Sequence, residues 1–157
     1  MVYPDNRVAD IINQHFVPAR VQVKEQPEDF QRLGDRFNAH WTPTVLMLEP
    51  DGTERHRIEG FLPTEDFAAQ LTLGLGKAAF ARQEWERAER YFREVVEAYP
   101  DTSAAPEALY WAGVSRYKRT NDPSALKETG LEFTRRYAET EWAKRASVWL
   151  PQPAATM

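Results

Sequence analysis

Few side chains in this chain could do chemistry. It has three histidines, His15, His40 and His56, and no cysteine. Without cysteine there is no thiolate nucleophile, no disulfide and no thiolate metal site. His15 falls on an apolar helical face and His56 stands between Arg55 and Arg57. Both read as packed or edge residues rather than ligands. His40 precedes Trp41 and Pro43 and could line whatever pocket that loop borders. Glu49 and Asp51 flank a turn, where aspartate is ordinary turn chemistry. Gly74-x-Gly76 lies in a helical stretch and reads as a device for close packing, not as a phosphate loop. No carboxylate pair, metal-ligand cluster or Ser-His-Asp arrangement stands out. The sequence therefore nominates no catalytic residue, no metal and no cofactor.

What stands out instead is one loop. Trp41-Thr42-Pro43 stands at the mouth of an apolar run, Thr44-Val45-Leu46-Met47-Leu48, which ends in Pro50-Asp51-Gly52. Proline cannot donate to a sheet ladder, so it belongs at a strand's first residue or at a special bend. A cis X-Pro bond is one such bend.

The elements that must position this loop follow from periodicity. Asp5 can cap a helix in which Val8, Ile11, Ile12, His15 and Phe16 share one face. Val17, Ala19, Val21 and Val23 alternate with polar residues or proline and predict a strand. Pro27-Glu28-Asp29 opens a second helix with Phe30, Leu33 and Phe37 as its stripe. Thr44–Leu48 is apolar on both faces, as in a buried strand. A turn and a second strand over Thr53 to Gly60 follow, and then a helix opened by Thr64-Glu65-Asp66.

From Leu73 onward the pattern is helical throughout. Trp85, Ala88, Tyr91, Phe92, Val95, Val96 and Tyr99 form one stripe ended by Pro100. Tyr99-Pro-Asp-Thr102 with Ala105, Ala108 and Trp111 is echoed by Tyr137-Ala-Glu-Thr140 with Ala143, Ala146 and Trp149, an offset of 38 residues. A period of that size in helix pairs suggests a solenoid. Trp142 to Leu150 reads as a final capping helix and Pro151 to Met157 as a tail.

Composition narrows the classes. The 157 residues, 42% hydrophobic and 12% aromatic, can fold into one domain or two small ones. Net charge is −4 with both signs interspersed. Neither half is basic, which argues against nucleic acid. No apolar run approaches a membrane span, and Met1-Val2-Tyr3-Pro4-Asp5 lacks a signal-peptide pattern. Cytoplasm is the default location.

Residues 1–73 resemble a thioredoxin-like module, through the order of elements, Thr42-Pro43-Thr44 and the Pro-Asp-Gly hairpin. Residues 70–150 resemble tetratricopeptide helical hairpins. Gly76, Ala88, Phe92 and Pro100 match that repeat's small, small, aromatic and proline positions. Gly113 and Ala125 recur in a looser second copy with Thr129 in place of the aromatic. The fold class is thus α-rich α+β, a partial thioredoxin-like module followed by tetratricopeptide-type α-hairpins.

The thioredoxin resemblance also implies something missing. In that family a central strand and a Cys-x-x-Cys precede the text matched from Tyr3 onward. The chain reads either as a shortened version of a longer protein, the preferred expectation, or as a descendant that lost its redox half. Val17–Val23 and Thr44–Leu48 would then flank an empty slot. In an ordered structure the two are expected to pair with each other, or a second copy supplies a strand.

Two surfaces follow from the resemblances. In thioredoxins the loop similar to Trp41, Thr42 and Pro43 has a cis X-Pro peptide and pairs with extended substrate backbone, so the resemblance implies a cis Thr42–Pro43 bond and a binding loop here. The repeat alignment places Lys77, Phe80, Tyr110, Val114, Tyr117 and Lys118 along a groove, with Leu109, Ala112 and Gly113 in the core. The same aromatics could instead pack against the thioredoxin-like module or the capping helix. The function expected is non-catalytic binding of a protein or peptide. The alternatives are a thiol-disulfide oxidoreductase whose Cys-x-x-Cys lies upstream of Met1, and a structural oligomerisation module forming a homo-oligomer.

Overall fold

The computed structural model describes residues 5–152. The expectations for Met1 to Pro4 and for the end of the tail, 153–157, lie outside the described residues. The chain forms two compact units, one ending at Ala68 and the other beginning at Ala69.

In the first unit, α1 (Asn6–His15) starts where Asp5 accepts from the backbone N–H of Arg7 at 2.8 Å. The Arg7 side chain, together with this bond, holds the Asp5 carboxyl below its ordinary value. Val8 and Ile12 are the buried face, Phe16 is half-buried, and His15 is exposed rather than packed. Helix α2 (Pro27–Phe37) has proline in its first turn with Glu28 and Asp29 beside it. It ends at Asn38 in the left-handed conformation, with φ 50°. Two antiparallel strands follow, β1 (Thr44–Leu48) and β2 (Glu54–Glu59). Asp51 Oδ1 accepts from Thr53 N at 2.9 Å, and Gly52 supplies the positive φ of the turn. A bulge falls between Met47 and Leu48.

Two expectations about this unit fail. Val17–Val23 is not a strand: it pairs with nothing as a ladder, and Val17 is 99% exposed. Alternation is only half of what a strand needs; the other half is a neighbour, and Pro18 cannot donate to one. It follows that this segment and β1 do not close on each other, and the sheet of the described residues has two strands. Nor is β1 buried on both faces. Met47 is buried, Thr44 to Leu46 are half-buried and Leu48 is 42% exposed. Arg57 of β2 holds the outer face instead, donating to the carbonyls of Phe37 and Asn38 at the end of α2.

Helix α3 (Thr64–Ala81) opens with Glu65 and Asp66 in its first turn, and the boundary between units falls within it. The second unit continues with α4 (Trp85–Ala98), α5 (Ala104–Thr120), α6 (Ser124–Arg136) and α7 (Glu141–Ala146). A 3-10 turn over Ser147–Trp149 closes the described helices, so the predicted capping helix is shorter than its pattern. Leu73, Ala88, Phe92, Val95, Val96, Leu109, Ala112 and Phe133 form the core. Trp85, expected inside with them, is only half-buried.

Small residues set the helix spacing. A Cβ on Gly76 would lie 2.5 Å from the Phe92 ring, and one on Gly113 would run into Thr129 Oγ1. In the second copy the smaller Thr129 lets α5 and α6 approach until glycine is again required. Charged pairs strap the outside. Arg93 and Arg136 both meet Glu132, at 2.9 and 3.0 Å, and Arg119 meets Glu89 at 2.8 Å. Tyr137 Oη donates to Pro100 O at 2.8 Å, tying the end of α6 to the end of α4. No helix of the described residues is long and apolar enough to cross a membrane.

Candidate functional site

The second unit carries the more developed surface, and it is built from α3 and α5. Lys77 and Phe80 lie one turn apart on α3, and Glu107 and Trp111 lie one turn apart on α5. Residues spaced this way share a helix face, so two turns from each helix meet across one seam. Lys77 Nζ pairs with Glu107 Oε1 at 2.8 Å. Phe80 meets Trp111 edge to face, centroids 5.2 Å apart, and meets Trp85 in the same way at 5.1 Å. Between them is a cavity of about 140 Å³ lined by Lys77, Phe80, Phe92, Glu107 and Trp111. Its walls are aromatic and its two charges neutralise each other. Trp111 Nε1 is enclosed and has no hydrogen-bond partner among the described residues. A buried donor left unpaired costs about 1–3 kcal/mol.

The structure divides the six groove positions expected on this unit. Lys77 and Phe80 come together at the cavity. Tyr110 does not join them: its ring stacks on Trp149, centroids 4.6 Å apart, and lies against Trp142 at 5.2 Å. It packs on the C-terminal helical segments, one of the two alternatives left open by the sequence. Val114 and Tyr117 are half-buried further along α5, and Lys118 is exposed. Trp111 enters the sequence reading only through the internal echo, yet it forms the cavity wall. Its spacing of four from Glu107 is the signal that could find it, once α5 is read as facing α3.

In the first unit, Trp41, Thr42 and Pro43 are all exposed, Trp41 by 69%. The Thr42–Pro43 peptide is cis. Thr44 Oγ1 donates to Trp41 O at 2.6 Å and so fixes the loop against the start of β1. His40 Nε2 stands 4.0 Å from Asp35 at the surface. His56 is buried on β2. The three histidines thus sit in three different settings, on α1, before the loop and in the sheet.

Comparison with protein families gives two adjoining matches. Residues 2–74 match a thioredoxin-like domain, and residues 71–102 match a tetratricopeptide repeat. The two meet within α3, and the repeat match covers the Gly76–Phe92 contact. Comparison with curated proteins and with solved structures gives no significant match. The chain thus carries a stretch similar to a thioredoxin-like domain, without cysteine, followed by a stretch similar to a tetratricopeptide repeat, in an α-rich α+β architecture.

Proposed function

We propose, from this joining of a thioredoxin-like domain to tetratricopeptide helices, that the chain is a non-catalytic module that binds an extended segment of another protein on its α3–α5 face. The cavity beneath Phe80 and Trp111 carries the reading. At about 140 Å³ it is small; cofactor and drug-sized ligands occupy pockets of about 300–1,000 Å³. One side chain of a peptide is the occupant that fits. Aromatic walls supply apolar contact, and interface energy concentrates on anchors of this kind. The Lys77–Glu107 pair at the same cavity offers one cation and one anion to the polar backbone of a segment lying across it. Val114, Tyr117 and Lys118 extend the same helix beyond the cavity and would contact the segment's continuation.

Selection of peptides from a random display library, followed by calorimetry, tests this. Phe80→Ala and Tyr117→Ala should weaken a selected peptide by roughly thirtyfold, the equivalent of an anchor worth about 2 kcal/mol. Trp41→Ala should leave it unchanged. Peptides indifferent to the α3 and α5 variants, or an exhaustive selection that yields none, would overturn the proposal.

A further inference from the structure

The residues around the α3–α5 cavity include an unused donor, a carboxylate and no net charge. Trp111 lines the cavity, and its Nε1 has no hydrogen-bond partner among the described residues. Buried polar groups are nearly always paired within a fold, so an orphan on a wall residue of a binding cavity is a group that an occupant can satisfy. Glu107 lines the same cavity and meets Lys77 Nζ through Oε1 at 2.8 Å. A carboxylate has about four lone-pair sites, so Glu107 can accept from a second donor without giving up the first. Both members of this pair are half-buried, with side chains 21% and 29% exposed. Phe80 and Phe92 supply apolar wall.

We infer that the side chain anchored in this cavity is a primary amide, glutamine before asparagine. This rests on the reading of the α3–α5 face as a peptide-binding surface, and it names the residue by which the peptide is recognised. An amide carries an accepting oxygen and a donating nitrogen on one flat, uncharged tip. Its oxygen takes the Trp111 N–H and its nitrogen donates to Glu107, while the flat group lies against the aromatic walls. Because it brings no charge, the Lys77–Glu107 pair stays whole.

Size agrees with this choice. An apolar cavity of about 150 Å³ holds benzene, and this one has about 140 Å³. The glutamine side chain is close to benzene in bulk. Asparagine, one methylene shorter, underfills the space.

The competing anchors fail on the same observations. Leucine or methionine fills the volume but leaves Trp111 Nε1 unpaired and lays hydrocarbon over a half-buried ion pair. A glutamate anchor sets a second carboxylate beside Glu107, and a lysine or arginine anchor sets a second cation beside Lys77. Either has to displace one partner of the existing pair or stay uncompensated, and a charge withdrawn from water without a partner is costly.

Mixtures of short peptides with one fixed central residue test the inference, their random flanks free of asparagine and glutamine. Bound to the full chain, the glutamine-fixed mixture should be retained about tenfold more tightly than the methionine-fixed or glutamate-fixed mixture. It alone should move the Trp111 indole N–H resonance downfield. Trp111→Phe keeps an aromatic wall and removes the donor. In that variant, with its circular-dichroism spectrum unchanged, glutamine should fall to the level of methionine. Methionine or glutamate bound as tightly as glutamine in the wild type overturns the amide anchor and leaves peptide docking on this face standing. So does a glutamine preference that survives Trp111→Phe undiminished. Failure of every mixture to bind overturns both.

Discussion

Gly76 lies against the Phe92 ring so closely that a methyl group could not be added without displacing it: a Cβ would stand 2.5 Å from Cε1. Phe92 is fully enclosed and cannot swing away into solvent. Gly76→Ala should therefore destabilise the second unit by about 1–3 kcal/mol through overpacking, outweighing the roughly 1 kcal/mol by which alanine favours a helix over glycine. Urea unfolding should show a lower midpoint. A raised midpoint would mean that helix propensity wins and the contact is slack.

Ala88 is the other small residue of the repeat pattern on α4 and has no exposed surface. Ala88→Leu should force the α4 backbone away from its neighbours and cost about 1–3 kcal/mol. A variant melting at the wild-type temperature would be inconsistent with the packing described.

The Glu132 carboxyl feels opposing influences. Burial raises its pKa, and the Arg93 and Arg136 guanidiniums outweigh that, leaving it below the ordinary value of 4.5. A carboxylate lowered by folding contributes stability at pH above its unfolded value, and that contribution is lost as pH falls through the folded value. Unfolding free energy should thus decline below about pH 4.5, and Glu132→Gln should flatten that acid limb. An acid limb of equal slope in the variant would show that Glu132 does not contribute to it.

Thiol chemistry gives a simple expectation. A chain without cysteine offers no thiolate to attack a disulfide. Insulin reduction by dithiothreitol should proceed at the uncatalysed rate when this protein is added. A faster rate would require a reaction that none of its side chains is known to supply.

Legibility in the sequence is uneven, for physical reasons. Helix patterns are local. Asp5, Pro27 and the Trp85 to Tyr99 stripe therefore indicate real helices, and Gly76 with Phe92 indicates a real close approach. Strand formation is not local. Val17–Val23 has the alternation but no partner, and Thr44–Leu48 looks two-sided because its letters are apolar, although only Met47 is fully enclosed. The cavity is half legible. Lys77 and Phe80 come from the repeat resemblance, but Trp111 and the diversion of Tyr110 onto Trp149 depend on how α5 is rotated between α3 and α7. One-dimensional periodicity does not fix that rotation when α5 is apolar on most sides.

Whether the α3–α5 face receives a peptide can be read residue by residue, through amide chemical-shift mapping with a selected peptide. The largest shifts should cluster at Lys77, Phe80, Glu107, Trp111, Val114 and Tyr117, with the Trp111 indole N–H moving as well. Shifts concentrated instead at Trp41 to Thr44, with α3 and α5 unmoved, would refute peptide docking on that face.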